Sequence, residues 1–133
     1  MSLATQLDIP LLEPTELDGL HYWAESEGKS RGEVFTKPEV AEFILDLSGW
    51  RIGENLKDKR LLEPSCGAGD FVIPAIRRLL LESPNATAAE IENCIRAVEV
   101  NRIAFESLTA RVTHELDAHG YSETAIETLT ASG

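Results

Sequence analysis

The sequence predicts an α/β fold with helices layered on a parallel sheet, and it reads as the first half of a three-layer arrangement. Three observations carry this. Arg60-Leu61-Leu62-Glu63-Pro64-Ser65-Cys66-Gly67-Ala68-Gly69-Asp70-Phe71 is a short apolar run ending in an acid, then a small-residue turn, then the start of an apolar pattern at helical spacing. Ile95-Arg96-Ala97-Val98-Glu99-Val100 repeats the apolar run with an acid near its end, and helical patterning follows it again. Strands that alternate with helices call for right-handed crossovers and therefore a parallel sheet.

With 133 residues the chain is one domain's worth, long enough to bury roughly two-thirds of its unfolded surface in one core. Its net charge of −11 disfavours direct binding of nucleic acid, because acids repel a phosphate backbone unless the bases gather on one face. They gather only in part. Arg51, Lys57, Lys59 and Arg60 precede the first strand and Arg77-Arg78 follow it, both groups reading as solvated. Cys66 and Cys94 form no spaced pair, and nothing resembles a signal peptide or a membrane-spanning run, so a reducing cytoplasm is expected.

Taken in order, residues 1–31 are acid-rich and broken by Pro10 and Pro14, with one short helical candidate over 15–25; they read as an N-terminal helical arm. Residues 32–133 read as the domain proper. Thr36 and Glu39 fit a capping box for a helix with Pro38 in its first turn, whose Val40, Phe43, Ile44 and Leu47 share one face and which Gly49 ends. After the first strand, Asp70 is placed to cap a helix with Phe71, Ala75, Ile76, Leu79 and Leu80 inward, stopped by Ser83-Pro84. Thr87 and Glu90 offer a second capping box. Asn101 starts a helix through about Ala118 with Phe105, Leu108, Val112 and Leu116 inward, closed by Gly120, and Ile126 to Thr130 looks like a third strand.

The candidate site is the first turn. Gly67 and Gly69 lack the β-carbons that hold a ligand off the backbone and they permit positive φ. A lone G-x-G also occurs in turns that bind nothing. No Gly-Lys-Ser/Thr follows for a phosphate-gripping loop, and no third glycine completes G-x-G-x-x-G, so a ligand here need not carry phosphate. In parallel sheets ligands sit at the carboxyl ends of the strands, where an acid can accept hydrogen bonds from ribose hydroxyls. Glu99 occupies that place. His114 and His119, five apart on one helix, are poorly spaced for a metal and read as surface residues, and Cys66 carries no sign of a nucleophile.

Residues 32–44, with Val34-Phe35-Thr36-Lys37-Pro38-Glu39-Val40-Ala41-Glu42-Phe43-Ile44 at their centre, together with Leu61 to Phe71 and Ala97 to Asn101, resemble the first three motifs of adenine-specific (N6) DNA methyltransferases, including restriction-modification methylases. The resemblance covers residues 32 to about 105. It implies a Rossmann-like fold dependent on S-adenosylmethionine, present as its N-terminal half. It also implies roles: Thr36, with Phe35 beside it, meets the methionine end of S-adenosylmethionine, as do the Glu63 side chain and the turn Ser65-Cys66-Gly67-Ala68-Gly69. Glu99 takes the ribose hydroxyls and Val100 lies against adenine. Lys37 departs from the proline common in the family's first segment. The family's Asn/Asp-Pro-Pro-Tyr/Phe tetrapeptide, which holds the target amino group and stacks on a flipped base, is absent from this chain, since it has no Pro-Pro.

The expectation is therefore a cofactor-binding portion of a larger enzyme. It should be inactive alone, reach DNA through a C-terminal part beyond this chain, either self-associate along an unfinished sheet or cover that edge with the arm of residues 1–31, and bind neither metal nor membrane. Two other functions stay open at this point: a non-enzymatic subunit acting through association, and a nicotinamide-binding oxidoreductase domain.

Overall fold

In the computed structural model, which describes residues 35–131, two short parallel strands are joined through a central helix. The arm expected over residues 1–31 lies outside the described residues. β1 (Leu61–Glu63) pairs with β2 (Ile95–Ala97), Leu61 opposite Ile95 and Glu63 opposite Ala97. Pairing continues past the strands, where Val98 N–H donates to Glu63 C=O at 2.9 Å and Cys66 N–H to Val98 C=O at 3.0 Å. The turn is thus sewn onto the second strand.

Around this pair run α1 (Pro38–Leu47), a 3-10 turn (Leu56–Asp58), α2 (Val72–Glu82), α3 (Ala88–Ile91), α4 (Arg102–Ala118) and α5 (Glu123–Ala131). α2 is the hub, packing on α1, the 3-10 turn, β2 and α4, and it buries Val72, Ile73, Ala75, Ile76, Leu79 and Leu80. Burial of an aliphatic side chain contributes about 1.5–3 kcal/mol, so this stripe supplies much of the core. Buried Trp50 adds a polar anchor, its indole N–H donating to Ala75 C=O at 3.0 Å. The capping signals at Thr87/Glu90 and Asn101 are realised: Thr87 N–H meets the Glu90 carboxylate at 2.7 Å, and the Asn101 side chain accepts from Ala104 N–H at 3.1 Å. Gly120, at φ +85°, closes α4 as expected.

Several expectations fail for physical reasons. Residues Ile126 to Thr130 are helical, so the sheet has two strands among the described residues. Ile126 is buried and Leu129 half-buried three positions on, a helical spacing, and α5 packs on α4. This tertiary contact overrides the threonines' preference for strands. The Thr36/Glu39 capping box does not form: Lys37 is the N-cap and no side chain caps α1. α1 is also turned round. Val40, Phe43, Ile44 and Leu47 are exposed, while Ala41 and Leu45 face the core.

The cause is Arg78, read from sequence as solvated. Its guanidinium donates to the Glu42 carboxylate, to Asp46 at 2.7 Å and to Trp50 C=O at 2.8 Å, drawing the polar side of α1 onto α2. The methyl of Ala41 permits the close approach. Arg77 makes the matching contact on the other flank, bonding Glu115 of α4. Asp70 does not cap α2, whose N-cap is Phe71, and Phe105 is 37% exposed rather than inward.

Candidate functional site

The site forms where both strands end. Behind β1 the backbone turns sharply, with Gly69 N–H donating to Cys66 C=O at 2.9 Å and Ser65 N–H to the Glu63 carboxylate at 3.0 Å. Behind β2 the Glu99 carboxylate is forked. One oxygen accepts Gly67 N–H at 2.7 Å and the other accepts Asn101 N–H at 2.7 Å, so this one side chain bridges the turn and the start of α4. Asn101 N–H, and after it the N–H groups of Gly67 and Val100, hold the Glu99 carboxyl below the usual carboxylate range. Glu99 is ionised at neutral pH.

The two glycines serve different ends. Gly69, at φ +103°, is buried, and an added β-carbon would stand 2.7 Å from Leu108 Cδ1 and 3.1 Å from Ile73 Cγ1. Its lack of a side chain lets α4 and α2 close on the turn. Gly67, at φ +51°, would direct a β-carbon into open space. The open side of the turn is therefore at Gly67. Cys66 is buried, and burial first, then the charge of Glu99, pushes its thiol upward, which keeps it protonated and unreactive.

Thr36 is brought to the same turn by its backbone, its N–H donating to Asp70 Oδ2 at 3.0 Å. Its hydroxyl caps nothing. Phe35 and Val100, the chain neighbours of Thr36 and Glu99, are 63% and 89% exposed. Thus Thr36, Glu63, Ser65, Cys66, Gly67, Gly69 and Glu99 are joined through one hydrogen-bonded framework, and Phe35 and Val100 flank it with open apolar surface. Two residues of that framework escape the sequence reading. Asp70 has a position that suggests a helix cap. Arg111 of α4 donates to Ala68 C=O at 2.7 Å, and no local pattern marks it. His114 and His119 are on the surface, and among the described residues no cluster of three His, Cys, Asp or Glu could hold a metal. No helix of the described residues is long and apolar enough to cross a membrane.

The family model of the N-6 DNA methylases matches residues 19–109. Type II methyltransferase M.PaeR7I of Pseudomonas aeruginosa is 43% identical over 106 residues, which cover 76% of this chain and 18% of the relative. M.BstVI of Geobacillus stearothermophilus is 34% identical over 107 residues, 76% of this chain and 19% of its own length. M.XhoI of Xanthomonas vasicola is 37% identical over 105 residues, 74% of this chain and 19% of the relative. The chain thus spans about a fifth of the length of these relatives. No solved structure matches it. A family match over the stretch that builds the turn, both strands and the start of α4, joined to relatives 34–43% identical, makes this chain a member of the N-6 DNA methylase family.

Proposed function

We propose that this chain is the cofactor-binding portion of an adenine-specific DNA methyltransferase that uses S-adenosylmethionine, within a restriction-modification system. The observation that carries this is the convergence of Gly67 and Glu99 at 2.7 Å, at the carboxyl ends of adjacent parallel strands, the place where such sheets take nucleoside ligands. In this reading residues 32–133 form the N-terminal half of a three-layer Rossmann-like domain and residues 1–31 an arm. The two free thiols suit a reducing cytoplasm.

The residues present fit the cofactor. The Glu99 oxygens hold the N–H groups of Gly67 and Asn101, with Val100 N–H also turned to the carboxylate, and one acceptor site is left for a ribose hydroxyl, since an ionised carboxylate offers about four lone-pair sites. Gly67 leaves the turn open on one side. Thr36, with its hydroxyl uncommitted to a cap and Phe35 beside it, takes the methionine end together with Glu63 and the backbone of Ser65, Cys66, Gly67 and Gly69. Val100 offers its exposed side chain to adenine. When bound, S-adenosylmethionine supplies an electrophilic methyl group. This chain's own residues bind and orient it, and no residue described here is assigned to hold the target base. DNA is met by the Asn/Asp-Pro-Pro-Tyr/Phe part of the full-length enzyme.

Calorimetric titration of the chain with S-adenosylmethionine and with NAD tests the proposal. Saturable binding of the first alone is expected, with no label passed to DNA from tritiated cofactor. Binding of NAD in its place would overturn the methyltransferase reading.

A further inference from the structure

The turn between β1 and α2 is held from three directions. The chain just past β2 holds it through Val98 C=O, α4 holds it through Arg111, and the segment ahead of α1 is joined to it by Asp70. The last link differs in kind. Arg78 fixes the body of α1 through Glu42 and Asp46, a grip that begins a full turn beyond Lys37. Pro38 at the start of α1 has no N–H to offer, and Lys37 caps it without a side-chain bond. A carboxylate reaching across 34 residues to Thr36 N–H ties the segment just ahead of this helix to the turn.

We propose that Asp70 is a positioning residue for the cofactor: by taking the Thr36 backbone N–H it sets the Thr36 segment against the turn while leaving the threonine hydroxyl for the ligand's methionine end. This rests on the reading of the site as one for S-adenosylmethionine. Asp70 meets the ligand only through Thr36. A side-chain acceptor is required at position 70 and its charge is secondary, so asparagine should substitute and alanine should not.

The test pairs two measurements on the whole chain: calorimetric affinity for S-adenosylmethionine, and hydrogen exchange at the Thr36 amide without ligand. Asp70→Ala is expected to weaken binding about tenfold, through loss of the acceptor that holds Thr36 N–H, and to speed Thr36 exchange while amides in α2 and α4 keep their protection. Asp70→Asn should stay within about threefold of wild type, since an amide oxygen still accepts. Wild-type affinity in Asp70→Ala, or unchanged Thr36 exchange, would overturn the inference. Equal weakening by alanine and asparagine with protection lost throughout α2 would overturn it too, as a purely structural effect. Failure of the wild-type chain to bind S-adenosylmethionine would instead bring down the functional reading on which this one stands.

Discussion

The two ends of the small sheet use the same device for different purposes. At the amino end Glu82 of α2 accepts Gly53 N–H at 2.7 Å and Leu56 N–H at 2.6 Å, pinning the loop that leads into the 3-10 turn. At the carboxyl end Glu99 accepts Gly67 N–H and Asn101 N–H, both at 2.7 Å, pinning the glycine turn. The cleft beside Glu82, about 450 Å³, is roomy, yet it is lined by groups paired with one another, such as Lys57 and Glu90 at 3.3 Å. A forked carboxylate therefore marks a held loop and nothing more. What sets the carboxyl end apart is the surrounding set: two parallel strands ending together, an acid behind each, and a glycine whose missing side chain faces open space.

The sharpest way to break this comparison lies within the carboxyl-end turn. Gly69→Ala should cost about 3 kcal/mol, because the new methyl overlaps Leu108 and Ile73 and the residue must keep a positive φ. Gly67→Ala meets no neighbour, so about 1–2 kcal/mol of backbone strain is the whole stability loss, and the methyl enters the space assigned to the ligand. Denaturant midpoints and cofactor titrations of both variants should therefore rank oppositely when each is compared at matched folded fraction. A Gly67→Ala chain that binds like wild type would show that the open side of the turn is not where the ligand lies.

Exchanging the forked acids is the next test. Glu82→Ala leaves two backbone N–H groups short of their partner and should lower stability by about 2 kcal/mol, with affinity for S-adenosylmethionine within about twofold of wild type. Glu99→Ala should weaken that affinity roughly 10- to 100-fold, and by more than Thr36→Ala does. If both acids proved equally dispensable for binding, the two ends would be equivalent and the site would lie elsewhere.

These contrasts also explain what could be read from the sequence. α2, the tight turn after β1 and the strand-end position of Glu99 are legible because each depends on local signals: apolar spacing, residues that tolerate positive φ, and an acid at a strand end. The buried stripe of α2 agrees with its periodicity because the helix is enclosed by α1, β2 and α4. α1 shows the limit. Its apolar spacing is just as regular, yet the buried side is chosen by Arg78, 36 residues beyond Glu42 and 32 beyond Asp46, which bonds both. Asp70 shows the same limit, since a residue ahead of a helix looks like a cap unless its partner at Thr36 is known. In α5, Ile126 and Leu129 fit a helix as well as a strand until packing against α4 decides.

The smallest expected effect concerns acid, and it separates the scaffold from the site once more. Arg77 holds the Glu115 carboxyl below the ordinary range through its hydrogen bond, as backbone N–H groups do for Glu99. For both, the folded chain binds its proton less readily than the unfolded one. The stabilisation is therefore complete above the ordinary glutamate value of about 4.3 and is lost as pH falls through the lowered folded value. The Arg77 side chain is 56% exposed, so the pair with Glu115 should be worth about 1 kcal/mol or less. Glu115→Gln is then expected to flatten the decline of stability below pH 5 only slightly, and to do so less at high salt, where an exposed guanidinium is screened. Glu99 bonds to backbone N–H groups and should keep its share of the decline at any salt concentration. Denaturation midpoints from pH 6 to pH 3, at low and high salt, read both shares. A decline abolished by salt in the wild type would assign the acid response to surface pairs and leave Glu99 no part in it.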